Sequence, residues 1–415
     1  MTKLAVKRLL LQSANFAHGA LGISAFPMEY VFTEGTDPYT VKYDDLAGTG
    51  PFSIADSDDS FVPTVLNGQR KLVRTSDGTL YAIYHRRTVA AYLILVSEST
   101  DEGVTWVNET TLQDFDDAHQ NAGFPAIAVD SEDNLHAVWD GHESVVHAVY
   151  HQIWYSKYSG GSWSVPIIIS LAAGQQSATM STCAIAVDSA DNLHVVYRGE
   201  ATGYATAAQI WYTKYVVGWS GPVRISTETD MEDYLQTHPS IAIDSNDYVH
   251  VTFTGKASGY TTQDQIWYTK YVIGWSNPIV ISTYAGMATL LQAYSCIAVD
   301  SNDYTHVVWW GYATFFTDFQ IWYAEGVPPH AALNWVTPVR ISTYDDMEDY
   351  IQTNPSIAIG PDDYRHVLWH GKADGYNDFD KIWYALYTDA WATPTVLQPI
   401  GQNHYPILRW RRWPT

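Results

Sequence analysis

Cysteine is nearly absent from this chain: 415 residues carry only Cys183 and Cys296. The repeat register set out below places the two in different, non-neighbouring units, so no disulfide staple is expected. Basic residues are scarce as well, with 22 Lys and Arg against 45 Asp and Glu and a formal net charge of -23. Such a surface has no cationic groove to displace counterions from a phosphate backbone, which excludes nucleic acid as an expected partner. No apolar run approaches the roughly 18 residues of a membrane span. The opening "MTKLAVKRLLLQSANFAHGALGISAF" has early positive charges, but Gln12, Ser13, Asn15 and His18 break its apolar stretch, so no clear cleavable signal peptide is read.

Aromatic residues are abundant, at 14% of the chain with 17 Trp and 30 Tyr, which suits a β-rich protein with many ring-packing positions. A block recurs along most of the chain, and its clearest copy is "PSIAIDSNDYVHVTFTGKASGYTTQDQIWYTKYVIGWSNPIVIST", Pro239 to Thr283. Asp130, Asp188, Asp244 and Asp300 open the turn "DS(E/A/N)D(N/Y)", and Gly360 takes that place in the fifth copy. A His-led run follows each turn, headed by His136, His194, His250, His306 and His366, and after it comes "IWY" at Ile153, Ile210, Ile266, Ile321 and Ile382. Equivalent strand positions in adjacent units are too far apart to share an ion, so these histidines read as hydrogen-bonded structural groups.

Each unit reads as four short strands: A "SIAID", B "HVTFTG", C "QIWYTKY" and D "NPIVIST". Strands B and C are apolar on consecutive residues, as expected when neighbouring units cover both faces of a sheet. The size of the unit is that of a propeller blade. "EYVFTEG", "PYTVKYDD" and "GPFSIADSDDSF" near the N-terminus match strands B, C and D, while "QNHYPILRW", Gln402 to Trp410, matches strand A alone. The sequence therefore predicts an all-β fold: a seven-bladed propeller of four-stranded antiparallel blades, closed by pairing the C-terminal strand A with N-terminal strands B to D. The expected organisation is an arm over residues 1–25 and one propeller over 26–415. The propeller comprises a composite blade (26–62 with 402–415), a first full blade (68–115) and five repeats (124–401).

In the first full blade, "STDEGVTW" follows S-x-D-x-G-x-T-W through Ser99, Asp101, Gly103, Thr105 and Trp106. This resembles the Asp-box of sialidases and related BNR-repeat proteins, and "LVRTSDGTLYA" before it looks like the start of a sialidase catalytic domain. The pattern has a structural rationale: Asp101 bonds turn amides, Gly103 permits positive φ, and Trp106 packs back on the blade. The resemblance implies a triad of arginines that clamps a sugar carboxylate, with an acid/base Asp and a Tyr nucleophile. At the first arginine position of the family this chain has Gly68, with Arg70 shifted by two, and Arg224 and Arg340 lie in strand D, on the outer rim. Arg86, Arg87 and Arg198, at the ends of B strands, are left near the face where a ligand would sit.

That face carries the B to C and D to A loops. "GEATGY", "GKASGY" and "GKADGY", with the variant "GYATFF", put Tyr204, Tyr260, Tyr376 and Phe316 at equivalent places around the ring. Gly is expected to provide the bend, and the aromatic faces beside polar groups suit sugar stacking. The acidic loops "TETDMEDY" and "TYDDMEDY" offer Asp230, Glu232, Asp233, Asp346, Glu348 and Asp349. A solvated loop is the expected reading of these acids, with calcium as the alternative and no other cofactor. Lys3, Lys7, Arg8, Arg409, Arg411 and Arg412 gather basic charge at the two ends, a surface for a protein partner or for self-assembly. The expected function is a non-catalytic binding or assembly module that recognises a glycan or glycoconjugate, in an extracellular, cell-surface or virion-associated setting. The alternatives are a sialidase-like glycoside hydrolase and a structural scaffold.

Overall fold

A computed structural model describes most of residues 68–396, together with the backbone of 28–34 and 37–43. Six antiparallel sheets follow one another along the chain, each a meander whose strands pair in sequence order. Their first strands are Leu72–Arg74, Ala122–Val129, Met180–Val187, Gln236–Ile243, Gln292–Val299 and Gln352–Ile359. From the second blade to the sixth, consecutive first strands lie against each other, which makes them the inner wall of a propeller. The six sheets are called blades one to six below.

Among the described residues, the fourth strands of blades three to six are only two residues long, whereas that of blade one runs over nine, Val107–Phe115. In blade two the outer edge is split into Ser162–Trp163 and Ile167–Ile168. Near the N-terminus, Met28–Glu34 pairs with Asp37–Tyr43 as a hairpin. These two strands fall on the stretches expected as strands B and C of the composite blade; its strand D, the closure through Gln402 to Trp410, the N-terminal arm and the basic termini lie outside the described residues. No helix among the described residues is long and apolar enough to cross a membrane. Cys183 and Cys296 are buried and unbridged.

The repeated residues explain why each blade forms. In blade four, Asp244 accepts the amides of Asn246 and Tyr248, both at 2.9 Å, and fixes the turn between the first two strands. Its other oxygen accepts from His250 Nε2 at 3.0 Å, and His250 Nδ1 accepts from the Tyr268 hydroxyl at 2.7 Å. Turn, second strand and third strand are thereby tied through one imidazole. Blades two, three and five repeat the arrangement with His136, His194 and His306. In blade six Gly360 replaces the carboxylate, and His366 keeps only its tyrosine, Tyr384.

The same turns staple neighbouring blades. Ser131, Ser189, Ser245 and Ser301 each donate a backbone amide to the second Asp of the next turn, Asp191, Asp247, Asp303 and Asp363, at 2.8 Å. Each serine hydroxyl bonds the other oxygen of the same carboxylate. Across the seams, Trp219, Trp275, Trp335 and Trp391 stand edge-on to Tyr155, Tyr212, Tyr268 and Tyr323 of the preceding blade, with ring centroids 4.8–5.0 Å apart.

One sequence expectation is corrected here. The glycine that opens each B to C loop does not supply a bend, because Gly255, Gly311 and Gly371 have ordinary backbone angles. They are required by close approach: a Cβ at Gly255 would lie 1.9 Å from Oε1 of Gln236, a fully buried side chain that bonds three backbone carbonyls. The bend comes from the second glycine, Gly203, Gly259 or Gly375, each with positive φ.

Candidate functional site

Blades two to six share a distortion that their repeat does not advertise. Each first strand shifts register two residues after it begins, at Gly123/Ala126, Ser181/Ala184, Thr237/Ser240, Ala293/Cys296 and Thr353/Ser356. A non-glycine residue sits in the left-handed region at every bulge: Phe124, Thr182, His238, Tyr294 and Asn354, with φ between 47° and 56°. Left-handed backbone at such residues costs on the order of 1 kcal/mol or more, and bulges of this kind re-aim side chains. Five different side chains are thus presented at equivalent places on the inner wall, at the end bearing the B to C and D to A loops. The missed sequence signal is proline inside a strand, Pro125, Pro239 and Pro355, directly after three of them.

The chain entering blade one fills the axis below this ring. Gly68 touches blades four and five, and a Cβ there would meet Ser295 O at 3.1 Å and Ser240 Cβ at 3.2 Å. Two residues later the Arg70 carbonyl accepts the amide of Ile127 at 2.9 Å, on the far side. Lys71 is buried and donates to Pro125 O, and burial draws its ammonium down to about 7 against the opposing fields of Cys183 and Asp140.

A continuous arc of polar and aromatic groups runs from Lys71 around the mouth. His85 stands near it, its pKa held down to about 4 by burial and then by the Lys71 charge. Asp140, pushed up by burial, accepts from His151 Nδ1 at 2.9 Å. Next comes Arg198, with its guanidinium Nε buried and without a partner among the described residues. Beside it, His238 is lowered to about 4 by burial and by the Arg198 charge, and its Nδ1 is likewise unpartnered. Its ring stacks on Tyr294 at 3.9 Å, Tyr294 on Trp310 at 5.5 Å, and Trp310 meets Phe319 at 4.3 Å. Buried polar atoms are ordinarily satisfied, so the unsatisfied ones among the described residues at this strained ring single it out as the candidate site.

Of the residues singled out in the sequence, Arg198 belongs to this arc. Arg86 does not: its guanidinium is bidentate on Glu109 of the outer strand, at 2.9 Å and 3.0 Å. Arg224 and Arg340 pair with Glu232 and Glu348 at 3.5 Å and 3.1 Å, and stack over Tyr204 and Phe316 at 4.6 Å. Tyr204, Tyr260, Tyr376 and Phe316 are half-buried, each edge-on to the "IWY" tryptophan of its own blade: Trp211, Trp267, Trp383 or Trp322. They pack on the third strands, and Tyr204 and Phe316 also on the fourth, so they form no part of the arc.

The acidic loops close as short 3-10 turns, Met231–Asp233 and Met347–Asp349, preceded by Asp230 and Asp346 in the left-handed region and anchored by buried Met231 and Met347. No group of three or more metal-ligating side chains is poised for an ion among the described residues. At the opposite end of blade one, Asp101 accepts the Thr105 amide at 2.7 Å and its hydroxyl at 2.6 Å. Ser99 Oγ accepts the Gly103 amide at 2.7 Å, and Trp106 packs on Leu72, Leu80 and Ala82. These five residues brace a hairpin far from the mouth.

No protein-family model and no curated protein matches the chain. Among solved structures, it is similar to an ulvan lyase of polysaccharide lyase family 25, at 10% identity over 81% of this chain and 84% of that one, with a TM-score of 0.56. That lyase is also known bound to -[GlcA(1-4)Rha3S]-. A protein of unknown function from Dyadobacter fermentans DSM 18053 is similar at 9% identity over 78% of this chain and 97% of that one, with a TM-score of 0.50. The NanB sialidase of Streptococcus pneumoniae aligns at 11% identity over 74% of this chain and 66% of that one, with a TM-score of 0.46. At these identities the likeness is one of fold.

Proposed function

We propose that this chain binds an acidic glycan at the mouth of its propeller axis. The observation that carries the reading is the contrast between uniform and varied positions. Turn, imidazole relay and seam residues repeat from blade to blade, while the strained bulge position holds Phe124, Thr182, His238, Tyr294 and Asn354 in turn. A scaffold needs no such variety; an asymmetric ligand does. Arg198 offers planar charge-assisted bonds to a carboxylate or sulfate, and Tyr294 and Trp310 offer ring faces to the sugar. The glycan-bound lyase of similar fold lends this choice of ligand support. The loop aromatics Tyr204, Tyr260 and Tyr376 would add contacts to a longer chain. The test is titration with a defined tetraglucuronate. Arg198→Ala is expected to weaken binding at least tenfold, about 1.4 kcal/mol, without changing the melting temperature, and wild-type affinity in that variant overturns the reading.

A second reading, turnover, is favoured by His238 alone. An imidazole kept neutral beside a guanidinium is equipped to take the proton next to a carboxylate that the guanidinium neutralises. As the imidazole takes that proton, a carbon–carbon double bond would form, the bond to the sugar oxygen one carbon further would break, and water would protonate the departing oxygen, leaving an unsaturated uronate that absorbs in the ultraviolet. Its appearance with the tetraglucuronate, and its loss in His238→Ala, distinguishes turnover from binding.

A further inference from the structure

A cleft of about 640 Å3 opens between blades one and two, on the outer rim at the end opposite the mouth. Its origin is one departure from the repeat. In blades two to six the third strand carries a tyrosine, Tyr155, Tyr212, Tyr268, Tyr323 or Tyr384, and four of these receive the hairpin tryptophan of the following blade edge-on. Blade one has Val96 in that register, opposite Ile83 as Tyr155 is opposite Val138. Trp163 of blade two therefore faces a valine across its seam. The space a phenol ring fills elsewhere is left open.

The walls differ in chemistry. Trp163 and Tyr158 form one side, with ring centroids 5.4 Å apart. On the other, Glu98 accepts hydrogen bonds from Asn108 and Tyr81, which fixes a polar edge. Asn108 reaches it because the outer strand bulges between Val96 and Glu98, leaving Asn108 left-handed at φ 53°. Among the described residues, Glu98 is the only charged side chain lining the cleft, which disfavours an anionic ligand. Ring faces opposite fixed hydrogen-bonding groups, in a cleft this size, match an uncharged pyranose.

We infer that the cleft between blades one and two is a second glycan site, one that takes a neutral oligosaccharide by stacking on Trp163 and hydrogen bonding to Glu98 and Asn108. It is independent of the acidic-glycan site at the mouth. The probes are cellohexaose, xylohexaose and mannohexaose, titrated against the full chain by saturation-transfer NMR. At least one should bind wild type. Trp163→Ala should weaken it at least tenfold. Val96→Tyr, which rebuilds the seam found between the other blades, should abolish binding while keeping or raising the melting temperature, so it decides the matter even if Trp163→Ala fails to fold. Arg198→Ala should leave neutral binding unchanged, just as Val96→Tyr should leave tetraglucuronate binding unchanged, which separates failure of this site from failure of the one at the mouth. Binding of none of the three probes by wild type, or wild-type affinity in Val96→Tyr, overturns the inference.

Discussion

Histidine sets the pH response of this fold. His85 and His238 are held down to about 4 by burial and then by Lys71 and Arg198, while His330 and His366 are lowered to about 4, chiefly by burial. An unfolded imidazole titrates near 6.5, so between 6.5 and 4 the unfolded chain binds protons that the native one refuses. Stability is therefore fully present above pH 6.5 and falls as the pH drops toward 4, by on the order of 3 kcal/mol for each imidazole as enclosed as His85 or His238. Asp140, whose carboxyl burial pushes up, acts in the opposite sense and offsets part of this. Thermal melts from pH 7.5 to 4.5 should show a falling transition, and His238→Gln should flatten it. A transition temperature constant over that range would mean these rings are not enclosed as described.

At the scale of the element, what could be read from the sequence follows from what repeats. The Asp-led turn, the histidine and the "IWY" strand recur because they make the same local bonds in blades two to five, so periodicity exposes them. The partner of each turn was not legible: Ser245 bonds Asp303, 58 residues away, and nothing in either residue names the other. Nor was the bulge, since its residue differs from blade two to blade six, whereas the loop tyrosines recur. Asp303 tests the staple. Its carboxylate accepts the Ser245 amide, the Ser245 hydroxyl and Asn246 Nδ2, and its φ is 64°. Asp303→Ala loses all three bonds and puts alanine in the left-handed region, a cost of about 1 to 3 kcal/mol. Asp303→Asn keeps a carbonyl acceptor and a residue that tolerates that backbone, so chemical denaturation should find it at least twofold less damaging. Equal losses in the two variants would show that the seam does not depend on this staple.

The whole molecule sets Arg198 in a strongly acidic body, and the two charges act over different distances. On the proposed reading Arg198 would meet a bound carboxylate at contact range, where salt screens little, while the net charge of -23 would repel the same ligand from afar until salt shortens the screening length to roughly 8 Å. Raising salt from about 10 mM to about 150 mM shortens the screening length severalfold, which removes the long-range repulsion first. Association of tetraglucuronate should therefore become faster or stay level over that range, while dissociation, governed by contacts at the mouth, changes little. A ligand steered in by a basic surface does the reverse, losing association rate steeply with salt. Stopped-flow measurement of both rates separates the cases: a steep fall in the association rate would mean that the field at the mouth is dominated by cations, against the balance of charge in the chain.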